Sequence, residues 1–443
     1  MNMNEHSLLR RCVVFVAVLA LAGCGGKANS PEINRVANAG NFSSTVFIGD
    51  SLTAGFQSGS LLDTAQVNGW AALVAKQANF SITLPLIAFP GAPNVLQLDS
   101  LSPLVIAPAD PGVTTSGRDN FAAQATDLAV PGHTLNDALN TVPLLVPKTG
   151  EDQLTQLVLG FPQLGFGAAR SQVDEAIALH PTTIFIWIGN NDALVADITG
   201  MASSMTPPAT FATEYQQLTT KLAATGAYLV FLNIPDVTAV PYLQPADVVL
   251  AATSAQSGIP VPVLSQILGI TTGDFVNPTG TAEIPGILNA IAHGQQAGPI
   301  SDSGFLSAAE VATAQANVSA YNGTIATDAT SVSGTLVDIN ALFKGVKANG
   351  ITINGFPATA NFLGGLFSLD GIHPTNTAYA LIANDVIDTL NAKIHTTIPD
   401  VNVSAVAAVD PLFPPNLMPV GNAIVPASVG KAMGDLFGPR SRR

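Results

Sequence analysis

The sequence predicts an α/β protein of three layers, α/β/α, on a mainly parallel sheet of about five strands with long loop insertions. Three observations lead there. Runs rich in β-branched and aromatic residues alternate with helical patterns. Those runs are apolar throughout, as in sheets covered by helices on both faces. The glycine-containing polar clusters come directly after them, at the edge where such sheets gather ligands.

Taken in order, Thr45-Val46-Phe47-Ile48 reads as a buried strand, because such side chains fit a pleated, packed surface. Gly49 permits a sharp turn, and residues 51–54 are expected to open a helix. Two readings of that junction stand: Asp50 or Ser51 caps the helix, or Ser51 is a nucleophile beside N-terminal amides that favour an oxyanion. Residues 69–79 carry a helical apolar pattern. Residues 81–120, rich in proline, form an ordered insertion without a clear element.

A short strand over 125–130 runs into Pro131-Gly132-His133, and 134–170 is a further apolar insertion. A helix over 171–179 precedes the most apolar strand, 182–188, which stops at Gly189-Asn190-Asn191-Asp192. Next come a helix over 211–224, a strand over 227–232 and the cluster Asn233 to Asp236. Residues 241–305 read as the longest irregular insertion. A helix over 308–326, a strand over 336–339 and a closing helix over 375–393 complete the domain, 44–395. The tail, 396–443, shifts to Pro, Val and Ala and lacks the alternating strands of an outer-membrane barrel.

Composition bounds the rest. The chain has 443 residues, 47% hydrophobic and 10% charged, enough for one large domain with insertions or two modest ones. Mean hydropathy is +0.38, yet the best candidate span, 13–22, is half the roughly 20 residues a crossing helix needs. Arg10 and Arg11, that apolar run and then Leu21-Ala22-Gly23-Cys24 have the layout of a secretory leader. A cysteine after small residues resembles a bacterial lipobox, so 1–23 is expected to be removed, Cys24 lipidated and 24–43 a tether. An ordinary leader with a chance cysteine is the alternative. Gly25 after Cys24 resembles the outer-membrane sorting pattern of Gram-negative lipoproteins, so the expected location is exported and lipid-anchored at that membrane.

Cys12 and Cys24 are the only cysteines, which leaves the mature chain no disulfide, thiol nucleophile or cysteine metal site. The leader holds Glu5, Arg10 and Arg11, a net +1, so its removal takes the charge from −14 to −15. Such acidity excludes nucleic acid, which needs clustered Lys and Arg to displace counterions. It gives no attraction to an anionic bilayer either, so membrane contact falls to the lipid.

Late in the domain stands Leu369-Asp370-Gly371-Ile372-His373-Pro374. Serine is a poor nucleophile until a neighbour takes its proton, and histidine, titrating near neutrality, is the usual base. A carboxylate three residues earlier can bond Nδ1–H and turn Nε2 toward a serine. Alone, the motif also reads as a helix-initiating turn with a surface histidine.

Together these segments resemble the SGNH (GDSL-type) hydrolase family: Gly49-Asp50-Ser51-Leu52, then Gly132, then Gly189-Asn190-Asn191-Asp192, then Asp370-Gly371-Ile372-His373-Pro374, with order and strand context matching as well. The resemblance implies a flavodoxin-like SGNH-hydrolase fold and a serine esterase or lipase of acyl or lipid-type esters, working through an acyl-enzyme without cofactor. By it Ser51 is the nucleophile, His373 the base then acid, and Asp370 its orienter. The Ser51 and Gly132 N–H groups and the Asn191 amide form the oxyanion hole, while Asp50 and Asp192 hold their loops. Alternatives are a carbohydrate O-acetylesterase or acyltransferase on the same triad, and a non-catalytic binding lipoprotein. Asp127 stands where the family often has Asn, and His133 is expected at the surface. His180, His293 and His395 occur in no ligand spacing, so no metal is expected.

Overall fold

The apolar runs become the centre of the molecule. In a computed structural model that describes residues 38–164, 169–418 and 423–438, they form β1 (Thr45–Gly49), β2 (Thr183–Trp187), β3 (Tyr228–Leu232) and β4 (Thr335–Val337). All neighbours are parallel, in chain order, with Thr45 opposite Thr183 and Thr183 opposite Tyr228. The fold class is as the sequence predicts, with four strands in the sheet. The expected strand over 125–130 only accompanies the free edge of β1. Phe47 N donates to Thr126 O and Leu128 N to Phe47 O, at 2.9 and 3.0 Å, but a single bridge, Phe47 to Asp127, forms. The chain therefore leaves β1 first to one side and then to the other, which opens a crevice at its carboxyl end.

Alternation along each strand feeds two cores. Val46, Ile48, Ile184, Ile186, Leu229 and Phe231 face one, against Phe211, Tyr215, Leu218 and Tyr321. Phe47, Phe185, Trp187, Val230 and Leu232 face the other, against Trp70, Val74, Tyr379 and Ile387. The Phe47 and Phe185 rings stack at 4.9 Å with Trp70 edge-on to both. Helices Trp70–Ala78, Pro208–Ala223, Ala308–Ser331 and Asn376–Ile394 lie where their patterns predict, within a few residues.

Three expectations change. Residues 51–54 make a turn instead of a helix: Thr53 N and Ala54 N both reach Asp50 O, and Gly55, at φ +73°, ends it. Residues 81–120 contain an antiparallel hairpin, Leu96–Leu101 with Leu104–Pro108. The 241–305 insertion is largely helical, with Ala246–Ser257, Val261–Leu268 and Pro278–Ala292 around a small core of Val249, Leu250, Leu264, Leu268 and Ile284. The tail also packs. Its helix Ala427–Phe437 buries Val429, Met433, Leu436 and Phe437 in the first core.

Among the described residues no single helix is long and apolar enough to cross a membrane; the bent pair Ala246–Ser257 and Val261–Leu268 passes by length and composition only. The leader, Cys24 and most of the proposed tether lie outside the described residues.

Candidate active site

Segments after β1, β2 and β3 and the segment before helix Asn376–Ile394 converge on one cleft of about 480 Å³, partly open solvent. Its polar lining is Ser51, Asn190, Asn191, Asp197, Asp236 and His373; Leu52, Leu194, Ile234, Val240, Phe343 and Ile372 supply apolar surface. Ser51 follows β1 on the turn that Asp50 organises. Asp50 Oδ1 accepts from Leu52 N at 3.1 Å, and Oδ2 accepts from Asn190 Nδ2 at 2.9 Å. Burial raises the Asp50 carboxyl to about 6 despite those bonds.

His373 is held from behind. Its Nδ1 lies 2.9 Å from Asp370 Oδ2, which also accepts from Gly59 N at 2.8 Å. Asp370 Oδ1 accepts from Ile372 N and His373 N, both at 2.9 Å. Burial alone would raise Asp370, but the neighbouring imidazole and these donors outweigh it and hold the carboxyl below its ordinary value. A carboxylate at Nδ1 fixes the tautomer that leaves Nε2 as the acceptor. That Nε2 is buried and has no hydrogen-bond partner, and Ser51 and His373 stand in the same wall without a direct hydrogen bond. Phe56 and Phe437 flank the imidazole, with ring centres 4.7 and 5.5 Å away.

The remaining motif loops are tied to one another. Gly189, at φ +108°, turns the chain from β2 into helix Asn190–Thr199; a Cβ there would run into the Phe211 ring. Asn191 Nδ2 donates to His133 O at 2.9 Å, and Asp192 Oδ2 accepts from Leu135 N at 2.8 Å. The Gly132 turn, with φ +87°, thus sits beside Asn191, although Gly132 is not in the cleft wall itself. Asp192 also accepts from Thr206 Oγ1 at 2.6 Å, and burial lifts it to about 7. Asp50 and Asp192 therefore brace loops, as expected.

His133 is a correction. It is fully buried, with Nδ1 2.9 Å from Gln172 Nε2 and Nε2 2.8 Å from Thr155 Oγ1. The amide nitrogen can only donate, so Nδ1 accepts and Nε2 carries the proton. Gln172 in turn accepts from Gly49 N at 3.1 Å, linking the two glycine turns. The sequence reading also missed Phe56, Phe437 and Asp197, none of which lies in a motif. Among the described residues no cluster of three His, Cys, Asp or Glu side chains is placed to hold a metal.

A model of the GDSL-like Lipase/Acylhydrolase family matches residues 45–386. Among solved structures the chain is similar to TesA, with 13% identity, a TM-score of 0.33, and 79% of this chain and 98% of that one covered. It is similar to LAE5, an alpha/beta hydrolase enzyme from the metagenome of Lake Arreo, Spain, at 14% identity, TM-score 0.35, and 79% and 95% coverage. It is similar to the acetylxylan esterase Axe2 of Geobacillus stearothermophilus at 11% identity, TM-score 0.35, and 78% and 93% coverage. No curated protein matches the chain.

Proposed function

The chain belongs to the GDSL-like lipase/acylhydrolase family and is a carboxylic ester hydrolase, and from that premise we propose that it cleaves apolar acyl esters through an acyl-enzyme on Ser51. Ser51 Oγ attacks the acyl carbon while His373 Nε2 takes its proton. The Ser51 and Gly132 N–H groups and the Asn191 amide hold the oxyanion. Collapse expels the alcohol, which takes the proton from His373. Water then repeats the sequence in reverse, with His373 as base, and frees the acid. The observation that carries this reading is the buried, unpartnered Nε2 of His373 in one wall with Ser51 and Asn191. The Ser51–His373 bond closes as substrate fills the cleft, since such bonds are often loose in its absence.

The apolar lining favours acyl or lipid-type esters over sugar acetates. A fluorophosphonate probe is expected to label the wild type and not Ser51→Ala, with hydrolysis of p-nitrophenyl hexanoate lost in parallel. Labelling that persists in Ser51→Ala would sink the assignment. For the N-terminus the proposal is lipidation of Cys24 and anchoring at the outer membrane, supported by the leader grammar of residues 1–25. Radiolabelled palmitate that enters the full chain but not Cys24→Ala is the expected result.

A further inference from the structure

The cleft has a buried polar feature that ester hydrolysis does not use. Helix Asn190–Thr199 presents Asn190, Ala193, Leu194 and Asp197 to it, the i, i+3, i+4, i+7 face of a helix. Seven residues at 1.5 Å each place Asp197 about 10 Å along the axis from Asn190. Asp197 is 0% exposed, and neither of its carboxyl oxygens has a hydrogen-bond partner.

Its charged neighbours are already engaged. Asp236 accepts from Thr238 N and Oγ1 at 2.9 and 2.8 Å and from Gln315 Nε2 at 3.1 Å. Lys347 Nζ donates to Thr238 O and lies over the Phe275 ring. Burial, reinforced by the charge of Asp236 and only partly offset by Lys347, pushes Asp197 well above the usual carboxylate range and favours the neutral acid. A carboxylic acid both donates and accepts, and leaving such a group buried and unmatched is costly. The partner that matches it is another group that donates and accepts: a hydroxyl.

We propose that Asp197 is a specificity-determining residue, and that the preferred substrates are esters carrying a hydroxyl at the far end of an otherwise apolar arm. The proposal rests on the esterase reading and narrows its substrate class. Leu194, Ile234 and Phe343 hold the methylene part of the arm, while the hydroxyl gives a hydrogen bond to Asp197 and takes one from it. A plain alkyl arm of equal length leaves the acid unmatched. Sites built to bond a hydroxyl discriminate more strongly on that ground than apolar pockets do on size.

The test compares p-nitrophenyl 6-hydroxyhexanoate with p-nitrophenyl hexanoate for the acyl arm. For the alcohol arm it compares 6-hydroxyhexyl acetate with hexyl acetate. In one of the two pairs the wild type is expected to prefer the hydroxyl ester by tenfold or more in kcat/KM. Asp197→Asn, which still donates and accepts, is expected to keep most of that preference. Asp197→Leu is expected to lose it, and to hydrolyse the alkyl ester faster than the wild type does. Fluorophosphonate labelling of Ser51 in each variant reports whether the site has folded. A wild type that hydrolyses all four esters through Ser51 without preference in either pair overturns this inference and leaves the esterase reading standing. Hydrolysis of none of them overturns both, and the wild-type ratios decide the matter even if a variant fails to fold.

Discussion

At the scale of the residue, the proposed mechanism divides the site between groups that meet reacting atoms and groups that hold them. Asn191 does both. One hydrogen of its amide is on the His133 carbonyl, and the other is the proposed oxyanion donor. A buried hydrogen bond contributes about 1 kcal/mol to folding, whereas an oxyanion donor is worth a hundredfold or more in turnover. Asn191→Ala should therefore lower kcat by about 10²–10³, with KM little changed and a modest fall in Tm; steady-state kinetics beside a melt separates the two. Asp127 belongs to the second group. Burial raises it to about 7 even though its Oδ1 accepts from Ala129 N. Between its unfolded value of 3.8 and about 7 the folded chain holds a proton that the unfolded chain has released. The stability this gives is complete below the lower value and is lost as pH rises through the upper one, by up to ~1.4 kcal/mol per pH unit. Asp127→Asn keeps the bond to Ala129 and removes the ionisation, so it should flatten that decline and raise Tm at pH 8, read by thermal unfolding from pH 5 to 8. The positions of Ser51, Asp370, His373 and Asn191 were legible because each sits in a short motif after an apolar strand or before a helix. The burial of His133 was not, because its partners Gln172 and Thr155 lie 39 and 22 residues away.

At the scale of the element, the sheet was readable and the helices beside the cleft less so. Prolines and glycines made 241–305 look irregular, yet several stand at helix ends, and Pro285 is accommodated inside Pro278–Ala292. Pro245 and Pro260 precede Ala246–Ser257 and Val261–Leu268, Pro278 opens its own helix, and Gly258 and Gly269 close theirs with positive φ. Proline is tolerated in a first turn, where its missing N–H has no helical acceptor, and glycine takes the left-handed position after the last. The tail helix was hidden for another reason. Gly430 and Gly434 weaken its local propensity, so it depends on packing. Gly430 lies against Pro278, and a Cβ there would overlap the Pro278 ring. Gly430→Ala gains up to about 1 kcal/mol of helix propensity, while overpacking a tight contact typically costs 1–3 kcal/mol. The steric effect wins. The variant should melt lower than the wild type and lose kcat, because the same helix carries Phe437 to the His373 ring; a Tm equal to or above the wild type's would refute this.

At the scale of the molecule, parts far apart in sequence stand in series. The Pro278–Ala292 helix of the insertion supports the tail helix, and the tail helix, through Phe437 and Phe56, walls in the imidazole. Asn277 Nδ2 reaches Asp197 O at 3.1 Å, which joins the same insertion to the helix that lines the cleft. None of these couplings was available from pattern alone, since periodicity reports which face of an element is buried and not what buries it. Phe437 comes 386 positions after Ser51. A chain growing on the ribosome therefore carries the proposed nucleophile long before the aromatic wall around the His373 ring exists. Nascent chains that stop short of the tail helix hold every motif and still lack the Phe437 side of that wall, so the motifs alone do not complete the surroundings of the imidazole.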